Sequence, residues 1–409
     1  MHRVRQSVPY LKNYGWNPIV VCVDEKYVEG AKDERLLSSL PANLSIIKIK
    51  AFSSIWTRKI GLGALALRSL FFYFFAVNKL IKSKKIDLIY FSTTCFPVLI
   101  LGNFWRWYYK IPYVIDMQDP WYSTYYIDKP KNERPKKYWF SYYLNKFLEP
   151  IAMKSCSGLI SVSDSYIKQL HERYPDLRTK VNATITFGAF DKDIEIAKNL
   201  DLSKVLLLNP EHKYILYVGR GGYDMHQALS LFFGAFKKGL ETNYRVYNNF
   251  RVLFVGTSYA PNGKGKKTIE HVAVKVGIEN YVTEFTDRVP YYEGLSLLQK
   301  ATILFIPGSD DPAYTASKLY PYILTKKPII GIFHKQSSAK KILEETKSGL
   351  VHTLEDSELD VLNSLNTLLC AINENCYSNN TDWEQFYKYS AEEMTKKQVS
   401  LFNSVTSNG

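Results

Sequence analysis

The segment GSDDPAYTASKLYPYILTKKP, residues 308–328, indicates the class of fold together with the two apolar runs beside it. ATILFIP (301–307) precedes it and IIGIF (329–333) follows it; both are short, rich in β-branched residues and bounded by turn formers. They predict buried strands of a parallel sheet, joined by a helix. The polar segment then begins at the carboxyl end of a strand, where such sheets bind ligands. Ser317 and Lys318 stand where the helix should start, so N–H groups, a hydroxyl and an ammonium group would converge on an anion such as a phosphate.

Apolar runs of the same kind alternate with helical patterns along the whole chain. After a helix over residues 1–13, the first half has strand-like runs at 18–24, 44–50, 86–92, 111–117 and 158–163. The second half has them at 213–219, 250–256, 281–285, 303–307 and 328–333. This alternation predicts an α/β protein with parallel, doubly wound sheets. The weakly patterned residues 187–210 connect two Rossmann-like domains, residues 1–188 and 189–388, and a last helix occupies residues 389–409.

The charge balance predicts an anionic partner. The 409 residues include 53 Lys and Arg against 39 Asp and Glu, which gives a formal charge of +14. Nucleic acid, anionic lipid head groups and phosphorylated small molecules all fit such a balance. We rank nucleic acid last and expect none as a partner, because the charge is spread along the chain and no base-stacking module is visible. An aromatic content of 15%, with 31 tyrosines, suits contacts with sugars or membrane interfaces.

The cysteines indicate a reducing compartment. The chain has five, which are scattered and never form a C-x-x-C pair. They predict neither a disulfide framework nor a zinc site. No cleavable signal peptide opens the chain. We therefore expect a cytoplasmic protein without a bound metal.

One apolar helix leaves a membrane contact open. The stretch LGALALRSLFFYFFAVNKLI (62–81) is long enough to span a bilayer, but Arg68, Asn78 and Lys79 interrupt it. Arg68 and Lys79 are eleven residues apart, which places them on nearly the same helical face as a narrow basic stripe. The stretch is either a buried helix of a globular domain, a membrane-surface helix or a true span. A membrane-surface helix would place the protein at the inner face of a membrane.

The piece YVGRGGYD (217–224) is a second candidate for anion binding. Its glycines, Gly222 among them, allow a ligand to approach the backbone, and the Arg220 guanidinium offers a forked partner for phosphate oxygens. Asp224 stands where the third glycine of a dinucleotide-binding G-x-G-x-x-G motif would be, so this is not that motif. The alternative is a tight turn with a solvent-exposed Arg220. Arg288, after the strand at 281–285, is either another phosphate or nucleotide contact or a surface arginine.

Four pieces in this order and spacing resemble glycosyltransferase family 4. They are IPYVIDMQDPW (111–121), SVSDSYIKQL (161–170), YVGRGGYD and the segment at 308–328, and the resemblance covers nearly the whole chain. It implies the GT-B arrangement, in which two Rossmann-like domains face one cleft. It also implies a bacterial, retaining enzyme that moves a hexose or related sugar from a nucleotide sugar to a saccharide or lipid-linked acceptor in surface polysaccharide synthesis. In similar proteins the last helix packs back toward the first domain, and no metal or other cofactor is required.

The resemblance also assigns roles in a donor site. It places the donor diphosphate on Arg220, with Lys318 as the second positive charge, because a transferase must stabilise the charge of the departing nucleotide diphosphate. Similar enzymes carry two glutamates separated by seven residues, but Ala313 and Pro321 occupy those positions here. The ribose contact that the second glutamate makes must then come from another group or be absent; the candidates are Asp310, Asp311 and Tyr314. The alternative for the two aspartates is a plain turn with an Asp cap.

Candidates on the acceptor side follow the strand PYVID. A carboxylate at Asp116 or Asp119 could orient the acceptor hydroxyl or support positive charge on the sugar ring, and Trp121 could pack against a sugar face. Because similar transferases have no settled protein nucleophile, we assign Asp119 positioning and electrostatic support only. Glu149 resembles another acceptor-side position. The alternative is a helix-entry turn with Trp121 in the core.

The amino terminus departs from the family pattern. A domain of this type opens with a strand and a glycine-rich loop, whereas MHRVRQSVPYLKNYGW corresponds to the helix that follows them. The first domain is therefore expected to lack its first strand, through a start placed too late or a true truncation. Two alternatives to a transferase stay open. One is a catalytically silent nucleotide-binding or scaffolding subunit, and the other is a nucleotide-sugar epimerase.

Overall fold

The computed structural model of the protein describes residues 2–29, 33–59, 61–121, 127, 138–200, 208–260, 263–312 and 318–407. The chain divides into two compact units. Unit 1 is Met1–Gly188 together with Ala391–Gly409, and unit 2 is Ala189–Ser390. In both units parallel strands alternate with helices, so the predicted α/β class is confirmed.

Unit 1 consists of short strands and the helices that connect them. Its strands are β1 (Ile19–Val23), β2 (Ser45–Ile49), β3 (Ile89–Ser92), β4 (Tyr113–Met117), β5 (Gly158–Ser161) and β6 (Val181–Thr184). Its helices are α1 (His2–Leu11), α2 (Ser54–Lys59), α3 (Leu65–Ser83), α4 (Ile100–Tyr109), α5 (Tyr138–Lys154), α6 (Asp164–Arg173) and, at the end of the chain, α16 (Ala391–Ser407).

The strands of unit 1 form two parallel sheets instead of one. β1 pairs with β2, while β3, β4, β5 and β6 pair in that order. Among the described residues, no strand pairs with the free edge of β1 or of β3. In the Rossmann strand order the first strand lies between the second and the fourth. The interruption between β1 and β3 therefore agrees with the predicted lack of a first strand.

Both faces of the central strand β4 are covered by apolar side chains. Tyr113 points into a cluster with Trp105 of α4, and the next residue, Val114, points into another cluster with Phe402 of α16. Side chains of a strand alternate between its two faces, so an uninterrupted apolar run such as PYVI predicts a strand buried on both sides. α16 packs against α1, β5 and β6.

The apolar helix predicted at 62–81 is α3, and it is partly exposed. Arg68 is buried and donates hydrogen bonds to the main-chain oxygens of Gly63, Phe52 and Tyr27. The helical spacing predicts an exposed basic stripe of Arg68 and Lys79, and this prediction is wrong. The segment before α3 covers Arg68 at this end of the helix. In the part of the chain that the structure describes, no helix is long and apolar enough to cross a membrane, so the spanning alternative for α3 is wrong.

Unit 2 repeats the alternation with a larger sheet. Its strands are β7 (Lys213–Val218), β8 (Phe250–Val255), β9 (Val282–Phe285), β10 (Ile303–Pro307), β11 (Ile329–Phe333) and β12 (Leu350–Thr353). Its helices are α7 (Asp191–Lys198), α8 (His226–Thr242), α9 (Tyr244–Tyr247), α10 (Glu270–Val276), α11 (Tyr291–Lys300), α12 (Leu319–Leu324), α13 (Ser338–Glu345), α14 (Glu358–Asn373) and α15 (Trp383–Tyr387).

The sheet of unit 2 has the Rossmann strand order. All its pairs are parallel, and the order is β12-β11-β10-β7-β8-β9. The chain thus builds outward from β7 in one direction through β8 and β9, and then in the other direction from β10. Between β7 and β10 the order reverses, which opens a crevice at their carboxyl ends. The loops that follow β7 and β10 therefore border this crevice.

Aromatic packing holds α8 against this sheet. Phe232 of α8 stacks on Phe305 of β10 at a ring-centroid distance of 4.2 Å, and Phe254 of β8 contacts Phe305 edge-on. All three side chains are completely buried. Burial of a phenylalanine contributes roughly 1.5–3 kcal/mol to folding. These rings therefore form part of the core between α8 and the sheet.

Candidate anion-binding site

Two loops meet at the crevice between β7 and β10. The loop of residues 219–222 follows β7, and residues 308–312 follow β10. The N–H of Asp310 donates to the carbonyl oxygen of Asp224 at 2.9 Å, which joins the second loop to the residues just after the first. On the other side, the N–H of Gly221 donates to the carbonyl oxygen of Thr257, which follows β8. Main-chain hydrogen bonds therefore fix the loops in place.

Lys318 enters this crevice beside Gly219. A Cβ atom at Gly219 would lie only 2.1 Å from the Lys318 Nζ atom, so the ammonium occupies space that a side chain at Gly219 would need. The Nζ atom also lies 5.3 Å from the centre of the Tyr217 ring, a distance at which the ring attracts a cation. Glycine at this position thus has a specific function, which is to admit the ammonium group.

Among the described residues, no carboxylate compensates the charge of Lys318. Burial, and after it the positive charges of Arg288 and Arg220, lower the pKa of Lys318 to about 7. No carboxylate partner of this ammonium occurs among the described residues. A buried cation without a counter-ion is costly, and a bound anion would remove that cost. The site is therefore built to accept negative charge from outside the protein.

Arg220 is held by Asp224. Its two terminal nitrogens lie 2.6 and 3.0 Å from the two carboxylate oxygens of Asp224, which makes a forked ion pair. The hydrogen bonds from Arg220, and in addition one from Ser309, keep the pKa of Asp224 below its usual range. A Cβ atom at Gly222 would lie 2.4 Å from the same carboxylate. The pair is thus fixed in position, and Arg220 is oriented rather than freely mobile.

Arg288 contributes the third positive charge. Its guanidinium carbon lies 3.9 Å from the centre of the Tyr259 ring, and its Nε donates to the carbonyl oxygen of Ser258 at 3.3 Å. The side chain is exposed, and it influences Lys318 electrostatically. Three cations from three different loops therefore act on the same crevice.

The remaining donor-side candidates differ in what the structure says of them. Asp310 and Asp311 are exposed at the carboxyl end of β10, so their carboxylates are accessible. Tyr314, Ser317 and Ala313 lie outside the described residues. Pro321, which stands at the second glutamate position, lies in the first turn of α12. Because α12 has only six residues, its N-terminus carries less weight than the sequence suggests, and Lys318 is the main anion-binding feature of the segment.

Three of the acceptor-side candidates are buried inside unit 1. Asp116 is 1% exposed, and its oxygens accept hydrogen bonds from Arg3, Tyr90, Ser92 and Gln118 at 2.8–3.1 Å. This carboxylate has no oxygen facing solvent, so we correct its expected catalytic role to a structural one as the counter-ion of Arg3.

Trp121 and Glu149 are buried as well. Trp121 is 3% exposed, stacks on Phe96 and donates through Nε1 to Asn145 at 3.2 Å. It belongs to the core, so the expected sugar-stacking surface is not available. Glu149 is fully buried and accepts from Tyr174 and Arg173 at 2.9 and 3.0 Å. Burial raises the pKa of Glu149, and the two partners offset this in part. Only Asp119 among these four candidates is exposed.

Sequence reasoning missed the residues that support the cations. Asp224 was seen only as a departure from a glycine motif, although an acid four residues after Arg220 is a spacing that favours an ion pair. Tyr217, whose hydroxyl donates to the Arg220 carbonyl oxygen at 3.0 Å, gave no sequence signal beyond its place in a strand. Metal-binding clusters of His, Cys, Asp and Glu are absent from the described residues.

Comparisons of the chain with known proteins identify its fold. No protein-family model matches the sequence, and no curated protein does either. Solved structures, however, match over the whole chain. A glycosyltransferase from Rickettsia africae ESF-5 is 15% identical with a TM-score of 0.58, and the match covers 100% of this chain and 95% of that one.

Two further solved structures are similar over nearly the whole chain. Anabaena Alr3699/HepE, in complex with UDP-glucose, is 14% identical with a TM-score of 0.57, over 98% of this chain and 95% of that one. A Listeria monocytogenes protein assigned as a UDP-N-acetylglucosamine 2-epimerase is 10% identical with a TM-score of 0.52, over 100% and 94%. At these identities the likeness establishes the fold alone. The chain is thus a GT-B-fold protein of two Rossmann-like domains, and its second domain carries the candidate anion site.

Proposed function

We propose that this protein is a glycosyltransferase that moves a sugar from a nucleotide-sugar donor to a saccharide or lipid-linked acceptor. The observation that carries the proposal is the Lys318 ammonium, for which the described ranges contain no carboxylate partner and which Arg220 and Arg288 accompany at the Rossmann crevice of unit 2. A nucleoside diphosphate carries several negatively charged oxygens on two adjacent phosphates. It can therefore contact more than one of these three cations at once, which a single carboxylate cannot do as well.

The residues suggest how the reaction would proceed. The bond between the sugar C1 and the diphosphate oxygen breaks, and a bond from an acceptor hydroxyl oxygen to C1 forms. The hydroxyl proton passes to the departing diphosphate, so that the products are the glycoside and the nucleoside diphosphate. Lys318 and Arg220 would stabilise the charge that develops on the leaving group, and Arg288 would support it. Asp119 would position the acceptor, and Asp310 or Asp311 would bind ribose hydroxyls in place of the missing glutamates.

The finer assignment rests on the sequence pieces. Their order resembles glycosyltransferase family 4, which supports a bacterial, retaining enzyme that transfers a hexose or related sugar during surface polysaccharide synthesis. The fold neighbours include a protein titled a glycosyltransferase and one titled as a complex with UDP-glucose, which supports a nucleotide-sugar donor.

Ligand binding with matched variants tests the proposal. UDP, GDP, CMP and their sugars would be screened by thermal shift, and a ligand at one hundred times its Kd should stabilise the fold by about 2.7 kcal/mol. Lys318→Ala should then weaken the bound nucleotide about ten- to a hundredfold, because a charge-assisted contact is lost. Lys300→Ala is the control, since this exposed lysine lies just before β10, at the amino end of the strand and away from the crevice.

The outcomes separate the alternatives. Formation of a new glycosidic bond with a saccharide or lipid-linked acceptor supports the transferase. An altered sugar stereocentre without any acceptor would identify the epimerase, whose fold is shared. Binding without either product would identify the silent subunit, which the absent glutamate pair makes reasonable. If no nucleotide raises the midpoint, or if Lys318→Ala and Lys300→Ala bind equally well, the phosphate site is wrongly placed.

A further inference from the structure

An exposed strip of aromatic side chains crosses the surface of unit 1. We call it the aromatic ridge, and its members come from α3, from α4 and from the segment before α2: Phe52, Phe71, Phe75, Phe104, Trp107 and Tyr108. Phe52 is 49% exposed, Phe71 55%, Phe75 53%, Trp107 68% and Tyr108 60%. Single exposed apolar residues are common on protein surfaces, but a continuous group of large rings indicates a binding surface.

The rings form one continuous series. Phe71 contacts both Phe52 and Phe75, with centroid distances of 6.2 and 4.4 Å. Phe74 then links the two helices, since its ring lies 5.3 Å from that of Phe75 and 5.1 Å from that of Phe104. Phe104 stacks on Tyr108 at 5.7 Å, and Trp107 contacts both of these rings. A hydrogen bond from the Trp105 Nε1 to the Asn78 Oδ1 at 2.9 Å joins α3 to α4 beneath the rings.

Lysines continue the ridge along α3. Phe71, Phe75, Lys79 and Lys82 are all exposed, and steps of four, four and three residues place them on one face of the helix. Lys110, at the end of α4, is exposed too. None of these three lysines has a carboxylate partner among the described residues. The apolar face therefore runs directly into a positively charged one.

The charge of the whole chain is concentrated in this region. Residues 35–115 contain twelve lysines and arginines and a single acid, Asp87. Their formal excess of eleven makes up most of the +14 of the chain, so the expectation that the charge is spread along the chain is wrong. Such an excess attracts a surface with many negative charges.

We propose that the aromatic ridge and Lys79, Lys82 and Lys110 form a docking surface for an anionic lipid bilayer. Aromatic rings, tryptophan and tyrosine in particular, favour the boundary between lipid head groups and acyl chains, and lysines beside them bind anionic head groups. A second copy of the chain is a poor occupant, because two surfaces of like charge would repel each other. Single-stranded nucleic acid is a poor occupant too, because the rings already pack against one another and leave few free faces for bases.

Vesicle binding of the full chain tests this proposal, and it does not depend on the nucleotide site. Co-sedimentation would compare vesicles of pure phosphatidylcholine with vesicles that contain 30% phosphatidylglycerol, at low and high salt. We expect binding to the anionic vesicles, with a partition coefficient that falls about tenfold or more when phosphatidylglycerol is omitted or salt is raised.

Two variants separate the apolar and the charged contributions. Phe75→Ser with Trp107→Ser should reduce partitioning about tenfold or more. Lys79→Glu with Lys82→Glu should do so as well and should weaken the salt dependence. These two lysines are exposed, so the second variant keeps the proposal testable if the first one misfolds. Tyr244→Ser and Lys300→Glu, at exposed positions in unit 2, are the controls and should bind as the unchanged protein does.

Several results would overturn the proposal. One is equal partitioning of the ridge variants and their controls, and another is an absence of binding to anionic vesicles. If light scattering detects a dimer and the ridge substitutions dissociate it, the ridge binds a second copy of the chain. Tighter binding of a single-stranded oligonucleotide than of vesicles would make nucleic acid the partner. In both of these cases the nucleotide-sugar site of unit 2 would be unaffected.

Discussion

Lys318, which has no carboxylate partner in the described part of the chain, is the residue on which the proposed activity depends most. Lys318 lies where the strand order of unit 2 reverses, beside Gly219, with Arg220 and Arg288 near enough to lower its pKa. Arg220 already has a protein partner in Asp224, so its charge is mostly compensated. Lys318 therefore gains more from a bound phosphate than Arg220 does, and its protonation should control binding.

The first prediction at this scale concerns pH. Because the pKa of Lys318 is about 7 without ligand, the protonated fraction falls about tenfold between pH 6 and pH 8. We expect the Kd for a nucleotide sugar to rise by about the same factor over this range. A nucleotide sugar is the right ligand, because both of its phosphates are esterified and its charge stays constant. Isothermal titration at several pH values measures the effect.

The matched control for this prediction is Lys318→Arg. An arginine stays charged at all these pH values, so its affinity should vary little with pH. The stability of the ligand-free protein should change with pH in the direction opposite to the affinity for the ligand. Burial lowers the folded-state pKa, so the unfolded chain binds the proton more readily between about pH 7 and 10.5, and this group makes the fold more stable as pH rises through that window. A Kd for the unchanged protein that is flat from pH 6 to pH 8 contradicts the assignment.

The sequence predicted some of these residues and not others for a physical reason. Arg220 and Lys318 could be found because they follow strands at known positions of a Rossmann sheet, and position alone places them at the crevice. Asp116 lies in β4 and Trp121 follows it, but their role depends on burial. The amino-acid sequence does not show that Arg3 of α1, more than a hundred positions away, covers Asp116.

At the scale of elements, the apolar runs predicted the strands well. All ten predicted runs form strands, most of them one or more residues shorter than the run, because the end residues belong to turns. β6 and β12 were missed. Each has only four residues, VNAT and LVHT, with polar side chains among them, so neither shows the continuous apolar pattern of a buried strand. Both are at the edge of their sheet, where such sequences are tolerated.

The Tyr322 side chain connects α12 to β7. The Tyr322 hydroxyl accepts a hydrogen bond from the N–H of Val218 at 2.8 Å, at the last residue of the strand. Tyr322→Phe would leave this N–H without its partner, and we expect a loss of about 1 kcal/mol, or about 2–4 °C in the thermal midpoint of a cooperative unit the size of unit 2. Calorimetry of the ligand-free protein measures it.

The control for the tyrosine is Tyr377→Phe, which removes a hydroxyl from a partly exposed ring elsewhere in unit 2. Its midpoint should stay within about 1 °C of the unchanged protein, since surface substitutions have small effects. Equal midpoints for the two variants would mean that the Tyr322 hydroxyl does not hold α12 in place.

At the scale of the whole molecule, two properties were visible in the sequence and one was not. The class of fold followed from the alternation of strands and helices, and the positive charge followed from composition. The distribution of that charge was misjudged, although it too is written in the chain, because counts over 409 residues conceal a segment with almost no acids. The aromatic ridge could not be predicted, since the sequence of α3 fits a buried helix and a surface helix equally well.

The interrupted sheet of unit 1 has a consequence for amide hydrogen exchange. In β1, alternate N–H groups point away from β2, and no strand pairs with that edge in the described part of the chain. β8 of unit 2, by contrast, is paired on both sides. In deuterium-exchange mass spectrometry, peptides from β1 should lose protection within minutes, whereas those from β8 should stay protected for hours. Equal protection of the two would mean that the edge of β1 is covered. The slowest-exchanging core of this protein should therefore lie in unit 2, which carries the candidate anion-binding site, while the first sheet should open locally long before the molecule unfolds.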